Sequence, residues 1–538
     1  MQRARCLRPA NPLFFLALAA TGRGDWFAAD HLVTTDAKVP AQVRIPVPDA
    51  QDDDGSACTT ADACKGGACQ GGAVKACNDA EPCTADACEA KTGACTHDGA
   101  AQDGAACGGT CGHAAQACGK RFQAGWGGNA NDDFAAIRAS GSGWVAAGQT
   151  ASYGSGGDGL LVAMDGCGTV QWSRTFGGGG KDKFSSLEPT PDGGWILAGE
   201  STTGDVSGDA WVVKVDGSGK KQWSLMHGGT GYDLGQSAVA TSDGGYVVAA
   251  KTYSFGPGTP TLHNGLLFKL SGSGSVTWTK VLASNSGSMD AVQMREVKGG
   301  GYVLVGGSEG FGQGADDVWL TKLGADGSHV WSIAHGGLLD DDPIGFVQAA
   351  DGGFVIAGST KGFGATKTDV FVMKTDSSGK ALWFQRFGSS SGGKDEAGGI
   401  AAVGDSFVVT GLTTGWGAVG TDAFALKING SGAATWLRLF GNGSEDFGVG
   451  VAAAADGGVA MAGRTASSGK GVLDAWVVRA GADGAVGCQD KAASVSGVAQ
   501  TVASESFSPV ELVAGKVASD ATGSEAVSGG VTGICACQ

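Results

Sequence analysis

Through residues 119–490 short apolar runs alternate with glycine-rich polar turns, and the pattern returns at a period of about 50 residues. The second copy reads FGGGGKDKFSSLEPTPDGGWILAGESTTGDVSGDAWVVKVDGSGKKQWSLMH. Within it, alternation at period two predicts strands over Phe184–Thr190, Trp195–Glu200, Ala210–Val215 and Lys221–Leu225. Asp192-Gly193-Gly194 and Asp216-Gly217-Ser218-Gly219 separate them, and Asp-Gly and Gly-Gly steps supply the positive φ of tight hairpins. Four antiparallel strands per copy describe the blade of a β-propeller. A β-helix needs shorter coils, and a helical solenoid needs a 3.6-residue period that is absent. The expected fold is all-β, a seven-bladed β-propeller with a small disulfide-rich N-terminal module.

Columns recur in register. One holds Trp172, Trp223, Trp278, Trp331, Trp383 and Trp436, with Cys488 in the seventh place. A second opens a strand with Trp144, Trp195, Tyr246, Tyr302, Phe354 and Phe407, then Val459. A basic column runs Lys214, Lys269, Lys322, Lys374, Lys427 and Arg479, with Ala163 in the first copy. Before the first full copy, KRFQAGWGG (120–128) aligns with the end of a repeat, with Phe122 in the tryptophan place. It predicts an outer strand that completes the last blade and closes the ring. Cys118 and Cys488 would then come together, and a disulfide between them is expected.

Composition sharpens this picture. Glycine makes up 98 of 538 residues but proline only 12, without a three-residue period, which excludes collagen. Fourteen tryptophans and a 42% apolar share require a packed core. The net charge of −16 argues against nucleic acid and against an anionic membrane surface. No segment is apolar for long enough to predict a transmembrane helix. Arg3, Arg5 and Arg8 followed by LFFLALAA read as a signal peptide over residues 1–20, so a secreted or cell-surface protein is expected. Residues 21–57 read as an acidic linker. Its DAQDDDG stretch lacks the spaced ligands and closing glutamate of a calcium loop.

Residues 58–118 hold Cys58, Cys64, Cys69, Cys77, Cys83, Cys88, Cys95, Cys107, Cys111 and Cys118. CTTADACKGGAC returns 25 residues later as CTADACEAKTGAC, an internal duplication. In an exported chain this density points to disulfides rather than zinc. Residues 491–538 form a Ser/Ala/Gly-rich tail, expected as one or two strands on the propeller or as loosely ordered chain. Its Cys535 and Cys537 are candidates to pair elsewhere, Cys167 included.

The DGG turns at Asp192, Asp243, Asp351 and Asp456, with AG or its variants at Gly148, Gly199, Gly306, Gly358, Gly411 and Gly463, resemble the DGGY-x-x-AG propeller repeats of secreted bacterial proteins. The N-terminal duplication resembles the CT-x-D-x-C repeats of slime-mould and myxobacterial extracellular proteins. The resemblance implies a scaffold or matrix role and no chemistry.

Chemistry is sparse. Asp132, Asp182, Asp233, Asp290, Asp341, Asp395 and Asp446 each precede the innermost strand of a blade, near the channel. As a ring they are the one candidate for a metal, calcium being the cation considered; the plainer account has each accept N–H bonds in its own turn. A second column, Asp209, Asp317, Asp369, Asp422 and Asp474, is expected as solvated surface charge. The strand endings resemble sialidase Asp-boxes and quinoprotein propellers, yet the Asp-box spacing differs and no redox-site cluster is present. His227 and His335 stand where sister copies carry Phe176 and Phe387, so they are expected to pack. Gly388–Gly392 matches G-x-S-x-G but sits between antiparallel strands, the wrong context for a nucleophile elbow. Copies three and six carry insertions, near His263 and Lys394, expected as loop variation. The resulting expectation is an exported, non-enzymatic interaction scaffold or adhesion-type protein, without cofactor, with a protein or glycan partner at a propeller face. The alternative is a propeller enzyme acting on polysaccharide, or a quinoprotein-type oxidoreductase.

Overall fold

A computed structural model describes residues 121–203, 207–467, 471–487 and 490–512, with short backbone segments between 59 and 98 and at 518–519 and 524–526. Every regular element among them is a strand. Two compact units divide the chain, an N-terminal one and one that carries the propeller. In the former, three short antiparallel pairs set Cys64 opposite Cys69 and Cys88 opposite Cys95, equivalent places in the duplication. Cys58, Cys77, Cys83, Cys107, Cys111, Cys118 and Cys488 lie outside the described residues, and with them the expected Cys118–Cys488 pair.

The larger unit is a seven-bladed β-propeller. Blade 2 shows the plan: Asp182–Pro189 innermost, then Trp195–Ser201, Asp209–Val215 and Lys221–His227. The inner strands of neighbouring blades face one another around the axis. Blade 7 takes three strands from residues 446–480, and its fourth is Phe122–Trp126, which pairs with Asp474–Ala480. The ring closes as the 120–128 alignment predicts.

The apolar core lies between blades. Leu197, Trp211 and Val213 of blade 2 pack with Ala147, Leu161 and Phe176 of blade 1, all buried. At the far end of the blades the tryptophan column seals the joint. A methyl group added to Gly219 of blade 2 would meet the Trp172 ring of blade 1 at 2.5 Å, so that turn must be glycine. Phe122 meets Gly168 of blade 1 in the same way, so it fills the tryptophan place across the closure. The basic column has a partner that its sequence spacing does not show. Lys214, Lys269, Lys374 and Arg479 reach the DGG aspartates Asp192, Asp243, Asp351 and Asp456 at 2.8, 2.6, 2.5 and 2.7 Å.

The tail departs from expectation. Instead of one or two strands, residues 490–526 supply six short ones, laid backwards around the ring. Asp490–Ala493 pairs with the outer strand of blade 6, Val498–Gln500 with blade 5 and Ala503–Phe507 with blade 4. Val510–Leu512, Ala518–Ser519 and Ser524–Ala526 follow on blades 3, 2 and 1. Six blades thereby gain a fifth strand. An outer strand presents unpaired N–H and C=O groups, and the tail satisfies them one blade at a time. Phe507 anchors this belt by stacking on Phe311 at 4.0 Å.

Candidate functional site

Strand order places one class of loop around the mouth of the channel: those entering the inner strands and those joining second to third strands. The inner strands of six blades carry a β-bulge at the same step, for instance between Phe184 and Ser186 in blade 2. The extra residues, among them Ala135, Ser185, Gln236, Ile344, Gly398 and Val449, line an axial cavity of about 160 Å³. Arg138 of blade 1 and Arg295 of blade 4 converge on Glu188 of blade 2 at 2.7 and 2.9 Å, which ties three blades together across the axis. Burial raises the Glu188 carboxyl, but the two guanidiniums outweigh it and hold it down at about 2.

The seven aspartates do not form a ring of free carboxylates in the channel. Asp132, Asp182, Asp233, Asp341, Asp395 and Asp446 begin inner strands and are buried at the joints between blades. Each accepts hydrogen bonds from its surroundings. Asp182 takes the N–H of Gly178 at 2.9 Å and the hydroxyls of Ser201 and Thr203; Asp233 takes Gly229 N–H at 2.8 Å and Ser254 Oγ at 2.6 Å. The turn-capping account therefore describes these six. The second column is not surface charge: Asp317, Asp369, Asp422 and Asp474 are buried, which corrects the expectation. A backbone bond forces the two columns together, because the inner aspartate donates its N–H to the residue that precedes the third-strand aspartate of the previous blade. Asp182 N to Gly157 O at 2.8 Å and Asp341 N to Asp316 O at 2.6 Å are examples. The two carboxylates then share one glycine. A methyl on Gly177 would lie 2.4 Å from both Asp158 Oδ1 and Asp182 Oδ2, and one on Gly336 would lie 1.5 Å from Asp317 Oδ1 and 3.0 Å from Asp341 Oδ2.

One joint breaks the pattern, between blades 3 and 4. Asn264 replaces the third-strand aspartate and Ala283 stands in the glycine place. Asp290 there precedes its inner strand, and its side chain meets Lys251 Nζ at 3.0 Å and His263 Nε2 at 3.0 Å. Burial raises the Asp290 carboxyl; His263 and Lys251 more than cancel that and leave it below the usual carboxylate range. The Lys251 ammonium also sits 5.7 Å over the Tyr253 ring, which in turn faces His263 at 5.3 Å and Tyr232 at 6.2 Å. Together Gly231, Tyr232, Leu234, Gln236, Lys251, Tyr253 and Pro260 line an open groove of about 440 Å³ at the mouth. Copy three is thus not mere loop variation. The inserted segment brings His263 to Asp290 and Pro260 to the charged and aromatic groove.

Beside this pocket the mouth is acidic. Asp316 is pushed up to about 6 by burial and then by Asp342, Glu309, Asp290 and Asp340. His227 packs on Phe268 at 4.6 Å, as its column predicts. His335 packs as well, and it also accepts from Ser504 Oγ at 2.8 Å while donating to Gly379 O at 2.9 Å. In the G-x-S-x-G match the nucleophile place is Ser390, in a turn whose preceding Ser389 hydroxyl accepts the Gly393 N–H at 2.8 Å. Among the described residues no three histidine, cysteine or acidic side chains converge as a metal cluster.

No family model matches the chain, and no curated protein matches it. Among solved structures, a puromycin hydrolase is similar over 63% of this chain, with 13% identity and a TM-score of 0.38. The match spans 52% of that structure, about half its length. A likeness of this size carries no argument about activity.

Proposed function

We propose that this protein is an exported interaction scaffold whose propeller binds a glycan in the blade-3 pocket at the channel mouth. The observation that carries this reading is the departure of one joint from sevenfold regularity: Lys251, Tyr253, His263 and Asp290 converge where the other blades only pack. Tyrosine rings and Pro260 offer flat apolar faces for sugar rings, while Gln236 and Lys251 offer polar edges for hydroxyls. A groove of about 440 Å³ lies in the range of small-ligand sites. Export is supported by the arginine-flanked apolar start and the cysteine-dense module.

Binding is favoured over catalysis by Asp290. A carboxylate held below its usual range by its contacts with His263 and Lys251 is a weak base, poorly suited to taking up a proton near neutrality. The test is a glycan array probed with the purified chain, followed by titration of the best binder. Tyr253→Ala should weaken binding at least ~10-fold, the loss of a ring-stacking contact of about 1.4 kcal/mol, whereas Tyr153→Ala in blade 1 should leave it unchanged. Turnover of a polysaccharide, abolished by Asp290→Asn, would replace this reading with the enzymatic one. Capture of a protein with no glycan hit would keep the scaffold and discard the ligand class.

A further inference from the structure

Five of the seven blade joints fall into two groups by how their buried acids are neutralised. Between blades 3 and 4 the chain supplies Lys251 and replaces one acid by Asn264. Between blades 5 and 6 Arg386 contacts Asp369. Three other joints bury two acids, Asp158 with Asp182, Asp317 with Asp341, and Asp422 with Asp446, against one shared glycine each. No ion pair to any of these six is found among the described residues. Lys491, whose charge reaches Asp422, gives its ammonium to Gly417 O at 2.6 Å instead. In these pairs Asp158, Asp317 and Asp422, one in each, keep a buried Oδ1 with no hydrogen-bond partner. Two buried carboxylates, one with an unsatisfied oxygen, and no counter-charge are strongly unfavourable unless something positive sits between them.

We propose that these three interblade carboxylate pairs are divalent-cation sites of the calcium class. The donors on offer in each pair are carboxylate oxygens, hard ligands that suit calcium over zinc or copper. Two aspartates balance the ion's charge, and backbone carbonyls and water complete its shell. A cation there ties the third strand of one blade to the inner strand of the next, so its role is to lock the ring. The one glycine per pair has a clear cause, since any side chain would fill the space between the oxygens.

The test uses the full chain, stripped with EDTA and titrated with CaCl₂ by calorimetry, with thermal unfolding recorded in parallel. Calcium should raise Tm in a saturable manner, and wild type should bind at least three ions. Asp317→Asn should lower the count by one and shrink the rise in Tm. Asp290→Asn, at the joint with its own lysine, should leave the count unchanged. If Asp317→Asn does not fold, Asp158→Asn tests the equivalent pair between blades 1 and 2. The proposal is overturned if wild type binds no calcium and unfolds at the same temperature with and without EDTA, the behaviour of a carboxylate pair that shares a proton. An ion count unchanged by both aspartate variants overturns it equally, because the ions then sit elsewhere.

Discussion

The joint between blades 3 and 4 and the joint between blades 4 and 5 follow one plan and end in different chemistry. In the latter, Gly336 makes room for Asp317 and Asp341, both fully buried. In the former, Ala283 takes the glycine place, Asn264 removes one charge, and Lys251 with His263 holds the remaining acid, Asp290. Asp290 is also more open, with 31% of its side chain exposed. Sevenfold repetition makes the deviation informative. Six joints share a local cause, the packing of one blade on the next, and the seventh has exchanged that uniformity for a pocket. A repeat scaffold of this kind carries its specificity where the repeat fails.

The sharpest way to break the comparison is to fill the space that only one of the two joints possesses. Gly336→Val places a side chain where even a methyl would overlap Asp317 Oδ1, so the carboxylates must separate or the strands must part. We expect a loss of about 3 kcal/mol, the upper end for overpacking, read as a lower urea midpoint at constant slope. Ala283→Gly removes a methyl that the pocket joint already accommodates and should cost only about 1 kcal/mol, the ordinary penalty of glycine for alanine. Equal losses would show that the two joints are not differently built.

A second measurement separates the pH response of the ring from that of its belt. Burial lowers His335 from 6.5 to about 4, against a smaller opposing effect of the Gly379 carbonyl. The unfolded chain therefore takes up a proton below pH 6.5 that the folded ring refuses until about pH 4. Its stability is complete above pH 6.5 and falls as pH drops through that window, by about 2 kcal/mol at pH 5. His335→Phe, the residue that sister copies carry, should remove this slope. Glu188 has the same sign of dependence at lower pH. Its carboxyl, held at about 2, loses stability only as pH falls from 4.5 towards that value. The difference between wild type and His335→Phe across pH 7 to 5 thus reports His335 and not the axial triad, since Asp316, pushed up to about 6, contributes with the opposite sign in both.

Most of the architecture was legible in sequence because turn chemistry is local. Asp-Gly and Gly-Gly steps mark hairpins wherever they occur, and seven registered copies leave the propeller as the consistent arrangement. Phe122 in the tryptophan place even revealed the closure. The candidate site was less legible, because its contacts join residues from different columns. Asp182 and Asp158 look unrelated until the next blade is laid on the first, and Lys214 lies 22 residues from the Asp192 it pairs with. Alternation along the third strand separates acid from base within one strand, which is correct, but the partners lie elsewhere. The tail escaped for another reason. Its strands are two to five residues long, too short to show a period. They exist because each blade presents an open edge, a property of the ring and not of the tail.

The smallest expected effect returns to the pocket joint. Lys251→Ala leaves Asp290 with His263 alone and turns a neutralised joint into one closer to its neighbours. Both side chains are partly exposed, 20% for Lys251 and 31% for Asp290, so solvent screens the lost attraction. A change of about 1 kcal/mol or less is expected in the urea midpoint. Ligand binding is the more sensitive readout, because Lys251 lines the groove and sits over the Tyr253 ring. The same substitution should therefore weaken glycan binding while barely altering the fold. A variant that lost several kcal/mol of stability would instead make Lys251 a structural strut, equivalent to Arg386 at the blade 5–6 joint, and the pocket would lose its claim to be the place where the repeat was modified for a ligand.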